Sequence, residues 1–240
     1  MQTASRTNRG LVRKNNEDSI LVRCPDLFAI ADGMGGEQAG EVASSQAVHQ
    51  LGKTDFSKIP DEEMLPYLQQ VIQKINAKVW QMTLDKPKLK GMGTTLTALY
   101  LNNIGDKGFV GHVGDSRIYL WQDGVLKQVT SDHSYVAEMV RRKQLTPSEA
   151  ESSSQKHVIL RAVGATPFVE VDTFEFLLAG SQKLLLCSDG LSNMVTGEQI
   201  GKVLADKDVE AAADELLKDA LEAGGKDNIS FIIIDLEDEA

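Results

Sequence analysis

Four aspartates in this 240-residue chain are each read as closing an apolar run at a turn, Asp32 in AIADGMGG, Asp115 in GHVGDSR, Asp189 in LLLCSDG and Asp227 in GGKDNIS, and a fifth, Asp18, lies in RKNNED near the N-terminus. An apolar run closed by a turn puts its carboxylate at the tip of a buried strand. One such Asp is ordinary turn chemistry, and a turn-former or helix cap is the competing reading for each taken singly. The shared context argues against it for the set, which reads as strand ends converging on one acidic site. Packed carboxylates repel one another unless cations join them. Asp ligands without neighbouring His or Cys favour hard ions, Mn²⁺ or Mg²⁺. Two such ions about 3.5–4 Å apart can share a water, lower its pKa and aim it at an electrophile, most often phosphorus. Calcium storage is the weaker option, since no DxDxDG loop is present. Arg13, five residues before Asp18, adds a guanidinium fork suited to gripping a phosphate.

Strands and helices in blocks must position these groups. Short strands and turns run to Gly36. A first helix is expected from near Glu37 to about Leu51, with Ala39, Gly40, Ala43, Ser44 and Ala47 allowing close packing. A second begins with Asp61 as N-cap and carries Met64, Leu68, Val71, Ile75, Val79 and Met82 at helical steps. Pro66 fits it as a residue of the first turn or so. TTLTALYL, GFVGHVG and SRIYLW then read as strands, and Gln122-Asp123-Gly124 as the turn of a hairpin with VLKQVT. Residues 134–143 return to helix, and Thr146 with Glu149 marks another helix start. Residues 150–157 are polar and irregular. Strands are expected near 169–178 and 183–188, a helix over 209–222, and a last strand in ISFIIIDL. Sequential hairpins covered by helices make an α+β layered domain.

The net charge of −10 disfavours a nucleic-acid partner. Cys24 and Cys187 lie far apart without a CxxC, so neither a disulfide framework nor a zinc site is expected. Cys187 reads as a small core residue. No segment resembles a signal peptide or a membrane span, and the expectation is a soluble, cytoplasmic protein.

RKNNED, ADGMGG, GMGTT, GHVGDSR, SDHS, LLLCSDGL and GGKDNIS occur in the order found in the metal-dependent serine/threonine protein phosphatases of type 2C. From about Thr3 to Leu236 the chain resembles the short bacterial members encoded beside Ser/Thr kinases. The resemblance implies a single domain over residues 1–240, a four-layer α-β-β-α sandwich of two antiparallel sheets, and a mobile flap over about 134–164 anchored by Arg161 and Gly164. It implies two core ions of Mn²⁺ or Mg²⁺ and a third, weaker one. Asp32 would bridge the pair, the Gly33 carbonyl would ligate the second ion, and Asp189 and Asp227 would hold the first. Asp18, with Glu17 assisting, would bind metal-coordinated water, and Asp115 with Asp189 would make the third site. Arg13 would bind the substrate phosphate, and neither cysteine would be a nucleophile. The implied substrates are phosphoserine and phosphothreonine proteins, including a bacterial Ser/Thr kinase and its targets, acted on by a monomer.

Eukaryotic relatives place a His after the Asp-Gly pair, thought to protonate the leaving alkoxide; here that residue is Met34. Metal-held water is the first expectation for the acid and His133 a distant second, a structural or flap-contacting residue being the stronger reading of His133. His112 reads as structural, on the strand face opposite Asp115, His49 as a helix-surface residue and His157 as a flap residue. Glu37 stands where close bacterial relatives often carry His. The alternative is a pseudophosphatase that binds phosphoproteins; Asp32, Asp189 and Asp227, whose loss would favour it, are all present. A phosphatase dedicated to an anti-sigma-factor antagonist usually carries regulatory domains, and a haloacid-dehalogenase-type enzyme would need DxDx[TV], which IADGM does not supply.

Overall fold

The computed structural model describes residues 1–35, 39–102, 104–178, 180 and 182–236. The element order is β1 (Gln2–Asn8), β2 (Asp18–Arg23), β3 (Leu27–Met34), α1 (Ala39–Gly52), α2 (Asp61–Asp85), a 3-10 turn (Pro87–Leu89), β4 (Gly93–Thr94), β5 (Leu96–Leu101), β6 (Lys107–Val113), β7 (Arg117–Gln122) and β8 (Val125–Gln128). It continues with α3 (Tyr135–Arg141), α4 (Pro147–Ser152), β9 (Asp172–Leu177), β10 (Lys183–Cys187), α5 (Asp189–Ser192), α6 (Gly197–Asp206), α7 (Val209–Glu222) and β11 (Ile229–Asp235). One sheet has the order β1-β11-β10-β7-β8 and the other β2-β3-β5-β6-β9, with β4 pairing β3. Every strand pairing is antiparallel.

The two-residue period of a strand divides its side chains between two buried faces. In β11, Ile232 and Ile234, with Leu184 and Leu186 of neighbouring β10, face the opposing sheet and meet Phe28 and Ile30 of β3. Ile229, Phe231 and Ile233 alternate outward onto α6 and α7, against Leu204, Ala213 and Leu216. In β3 the outward set, Leu27, Ala29 and Ala31, packs under α1 and α2. Burial on both faces explains why these strands read as unbroken apolar runs, each buried Ile or Phe being worth about 2 kcal/mol. The result is the expected four-layer sandwich.

Several expectations hold locally and several are corrected. Asp123 (φ 52°) and Gly124 (φ 79°) both adopt the left-handed conformation of a two-residue hairpin turn between β7 and β8. Thr146 and Glu149 form the reciprocal capping box that opens α4, which extends into the stretch expected to be irregular. The small residues of α1 are buried as expected, although Glu37 lies outside the described residues. Asp61 is not the cap of α2: it is the first helical residue, Pro60 occupies the cap position without a side-chain bond, and Asp61 instead favours the helix dipole. Pro66 is the sixth residue of α2, one residue further in than a cap at Asp61 would place it. Helices α5 and α6 were not anticipated, though Thr196 and Gln199 form a capping box readable in the sequence.

Candidate active site

Antiparallel strands alternate direction, so a site at one edge of the sandwich is built from strand exits and strand entries together. This corrects the expectation that Asp32, Asp115, Asp189 and Asp227 each close an apolar run. Asp115 follows β6 and Asp189 follows β10, but Asp18 opens β2, Asp227 lies just before β11, and Asp32 sits inside β3. The register pairs Asp18 directly with Asp32 across β2 and β3. Asp32, Asp115, Asp189 and Asp227 line one cleft of about 580 Å³ with Arg13, Glu17, Gly33 and Met34, and Asp18 lies buried beside them.

The backbone at each position is fastened before any side chain acts. The Asp32 amide donates to Thr95 Oγ1 at 2.8 Å. Its carbonyl accepts from Thr94 Oγ1 at 2.9 Å and from the Thr95 amide at 2.9 Å. Gly33 donates to the Glu17 carbonyl at 3.1 Å, which also accepts from Ser44 Oγ of α1. A Cβ on Gly33 would collide with the Gly40 carbonyl, so only glycine lets β3 approach α1 this closely. Ser188 Oγ donates to Asp18 Oδ2 at 2.8 Å and accepts from the Ser230 amide.

The loop carrying Arg13 is held by Asn228. Its Nδ2 donates to the carbonyls of Arg9 (3.0 Å) and Asn15 (2.8 Å), and its Oδ1 accepts from the Glu17 amide at 2.8 Å. Arg13 thereby reaches into the acidic cluster, where Nη2 donates to Asp227 Oδ2 at 2.7 Å. One such bond leaves the five-donor fork able to engage a further anion. Asn228, Ser188, Thr94 and Thr95 escaped the sequence reading, although all four lie inside motifs quoted there; polar neighbours of a candidate ligand were the available signal.

Charge is concentrated here with little compensation. Burial, followed by the neighbouring carboxylates, pushes Asp32 well above the usual carboxylate range. Burial likewise raises Asp18 to about 7, against hydroxyl contacts from Ser230 and Ser188, and Asp115 to about 7. Asp189 is raised by burial and then by Asp227, and Glu17 by burial. Arg13 is raised by its bond to Asp227. Among the described residues no trio of His, Cys, Asp or Glu is already set as a ligand cage; Asp227 is engaged by Arg13 and Asp18 by Ser188. The donor set still fits hard cations. It is all oxygen, Asp18 Oδ1 is buried without a hydrogen-bond partner, and the Asp32 carboxylate accepts no hydrogen bond among the described residues.

The histidines separate clearly. His133 is 1% exposed; its Nδ1 accepts from the Gly114 amide at 3.1 Å, which places the proton on Nε2, facing Asp172 Oδ2 at 3.1 Å. It is sealed into the framework and cannot reach a leaving group, so its candidacy as the acid is withdrawn. His112 is buried, bonded to Thr97 Oγ1 and the Ser131 carbonyl, a structural role as expected. His49 is exposed on α1. His157 enters the cleft, its Nδ1 3.8 Å from Asp189 Oδ2, closer to the chemistry than the sequence suggested. Cys187 is fully buried and its thiol is pushed up to about 12 by burial, which disqualifies it as a nucleophile.

A family model described as protein phosphatase 2C matches residues 10–227. The chain belongs to this family. As a phosphatase 2C chain it is 39% identical over 99% of its length to the serine/threonine protein phosphatase PstP of Mycobacterium tuberculosis, spanning 45% of that protein. It is 38% identical to the serine/threonine phosphatase stp of Listeria monocytogenes, covering 98% of this chain and 96% of that one. The crystal structure of the M. tuberculosis phosphatase PstP/Ppp superposes with a TM-score of 0.92 at 39% identity, covering 99% of both chains. A PstP catalytic domain in complex with two manganese ions matches with a TM-score of 0.89 at 38% identity, over 99% of this phosphatase 2C chain and 98% of that structure.

Proposed function

We propose that this chain hydrolyses phosphoserine and phosphothreonine in proteins with two Mn²⁺ or Mg²⁺ ions in the cleft. The observation that carries the proposal is Asp32: deep in β3, its backbone bolted by Thr94 and Thr95, its carboxylate raised by burial and then by four like charges. A protein that spends stability on such a group needs cations there. In this reading Asp32 bridges the ions, the Gly33 carbonyl serves the second, Asp189 and Asp227 serve the first, and Asp18 with Glu17 orients coordinated water. Asp115 with Asp189 holds a weaker third ion. Bound there, the cations supply activation of a water and neutralisation of the phosphoryl oxygens. Arg13 binds the phosphate bidentately, held over the cleft by the Asn228 clamp. Residues 134–164 act as a flap beside the cleft. The protein works as a cytoplasmic monomer opposing a bacterial Ser/Thr kinase; among the described residues no helix is long and apolar enough to cross a membrane.

The deciding assay uses phosphoserine, phosphothreonine and phosphotyrosine peptides with Mn²⁺ or Mg²⁺. Turnover of the first two, lost with EDTA and in Asp189→Ala, is expected. Turnover that survives EDTA would sink the two-metal reading.

A further inference from the structure

The cleft is acidic at its floor and basic at its rim. Lys156, His157 and Lys226 join Arg13 in lining it. The lysines come from separate segments, one within the proposed flap and one in the loop that delivers Asp227. Several basic side chains outside the cleft are paired: Arg6 with Glu210 and Asp214, Arg117 with Asp132, Lys183 with Asp235, and Arg161 with Glu170 and Asp172. Neither Lys156 nor Lys226 makes a salt bridge or side-chain hydrogen bond among the described residues.

Both are nonetheless placed by the backbone. Gly224 (φ 119°) and Gly225 (φ 48°) take conformations that disfavour other residues, and they turn the chain out of α7 into the cleft. The Lys226 stem then lies back over this turn, its Cε 3.7 Å from where a Cβ on Gly224 would stand. Leu11, from the Arg13 loop, packs against Gly225 and donates to its carbonyl at 2.7 Å, tying Lys226 to the proposed phosphate-binding arm. Lys156 sits in a turn closed by its own amide on the Ser153 carbonyl and by Val158 on Gln155. Cations and Arg13 would serve the phosphate, and Lys226, next to Asp227 in the chain, lines the same cleft outside them. That is the position of a substituent on a residue flanking the phosphorylated one.

We propose that Lys156 and Lys226 form a cationic rim that selects phosphoserine and phosphothreonine segments carrying acidic side chains next to the phosphorylated residue. The proposal rests on the phosphatase reading above and names the substrate class of that same site. A carboxylate on either flank pairs with a lysine ammonium at the mouth, where solvent screens the pair and limits each contribution to a few-fold in rate. The rim therefore sets preference among phosphoproteins and leaves the chemistry to the floor.

The test measures kcat/KM with Mn²⁺ on two phosphothreonine peptides that differ only in Glu or Gln on both flanks, with p-nitrophenyl phosphate as a rimless substrate. Wild type should favour the Glu peptide by about tenfold at low salt, each lysine giving about threefold. Lys156→Gln and Lys226→Gln should each remove about threefold of that preference, and the double variant all of it, while p-nitrophenyl phosphate turnover stays unchanged. Lys156→Glu should turn the preference toward the Gln peptide. High salt should erase the wild-type preference. Equal rates on both peptides for wild type would overturn the rim, as would a double variant that still discriminates or that loses all three substrates equally. Failure of wild type to hydrolyse even p-nitrophenyl phosphate would instead overturn the phosphatase reading, and the rim with it.

Discussion

The two walls of the cleft are made of different material. One is sheet: Asp18 and Asp32 face each other across β2 and β3, Asp189 leaves β10, and Asp227 enters β11 between layers of Ile, Leu and Phe. The other is the 134–164 segment, with two short helices, exposed Val158 and Leu160, and His157 and Lys156 turned into the cleft. Core burial supports the first wall. A few buried polar anchors support the second: His133 on Gly114, Val163 exchanging two backbone bonds with Thr94, and Gly164 on Asn76. Each root of the segment is thus tied to backbone adjoining a cleft carboxylate, Gly114 beside Asp115 and Thr94 beneath Asp32. A rigid acidic floor and a wall hung from it by hydrogen bonds can differ in mobility without differing in register.

The comparison is broken most directly at the floor. Asp189→Ala should lower kcat by about 10³-fold, since several kcal/mol of charge stabilisation depend on its carboxylate. The fold should persist, because Asp189 follows a strand whose packing it does not share; circular dichroism and thermal unfolding check this beside the kinetics. A variant that retains a tenth of wild-type kcat would show that the floor is not where chemistry resides. Arg13→Ala should cost about 10²-fold in kcat/KM while leaving Mn²⁺ affinity by calorimetry near wild type. An unchanged kcat/KM would remove Arg13 from phosphate binding.

The same division explains what the sequence disclosed. Carboxylates on the sheet wall were legible because buried strands are continuous apolar runs, so a charge at their ends stands out; Asp32 and Asp189 are visible for that reason. The direction of each strand was not legible, and Asp227 was therefore assigned to the end of a run when it stands at the start. The anchors were missed because Asn76 and Asn228 look like ordinary helix and loop residues. Their role lies in bonds to backbone 88 and 211 residues away. His157 was read as peripheral since its position depends on how the segment folds back, which periodicity does not encode. His133 is the structural residue that was its stronger reading; the acid role stayed open because the sequence shows an imidazole near an Asp-rich motif but not its burial.

Acid should sharpen the contrast at the join between the walls. His112 is held neutral, lowered to about 4 by burial and then by the neighbouring His133. A depressed histidine favours the fold while both states are neutral, so its contribution is complete above about 6.5 and is lost as pH falls toward about 4. Over that window the loss is about 3 kcal/mol. Guanidinium unfolding of wild type and His112→Gln from pH 7.5 to 4.5 checks it; parallel pH profiles would exclude this source. Asn76→Ala tests the anchor itself. It strands the Gly164 amide and the carbonyls of Thr166 and Pro167, at about 2 kcal/mol. Hydrogen exchange should rise first in residues 158–168, and a uniform rise across the sheets would contradict a locally hung wall.

The smallest effect is expected from the group whose chemistry looks most tempting. Cys187 lies two residues before Asp189, and a thiol so near a phosphoryl site invites a covalent mechanism. Its surroundings forbid one. The side chain is fully buried among Leu185, Leu191 and Phe231 on the helix side of β10, and burial holds the thiol protonated. Ser188 alternates to the opposite face, where it bonds Asp18, and the chain has left β10 before Asp189 enters the cleft. Cys187→Ala should therefore leave kcat/KM within about twofold and cost about 1 kcal/mol of stability from the lost packing. Iodoacetamide should likewise fail to inactivate the native enzyme, and covalent inactivation in step with modification of Cys187 would place a nucleophile on the sheet wall where only carboxylates are proposed.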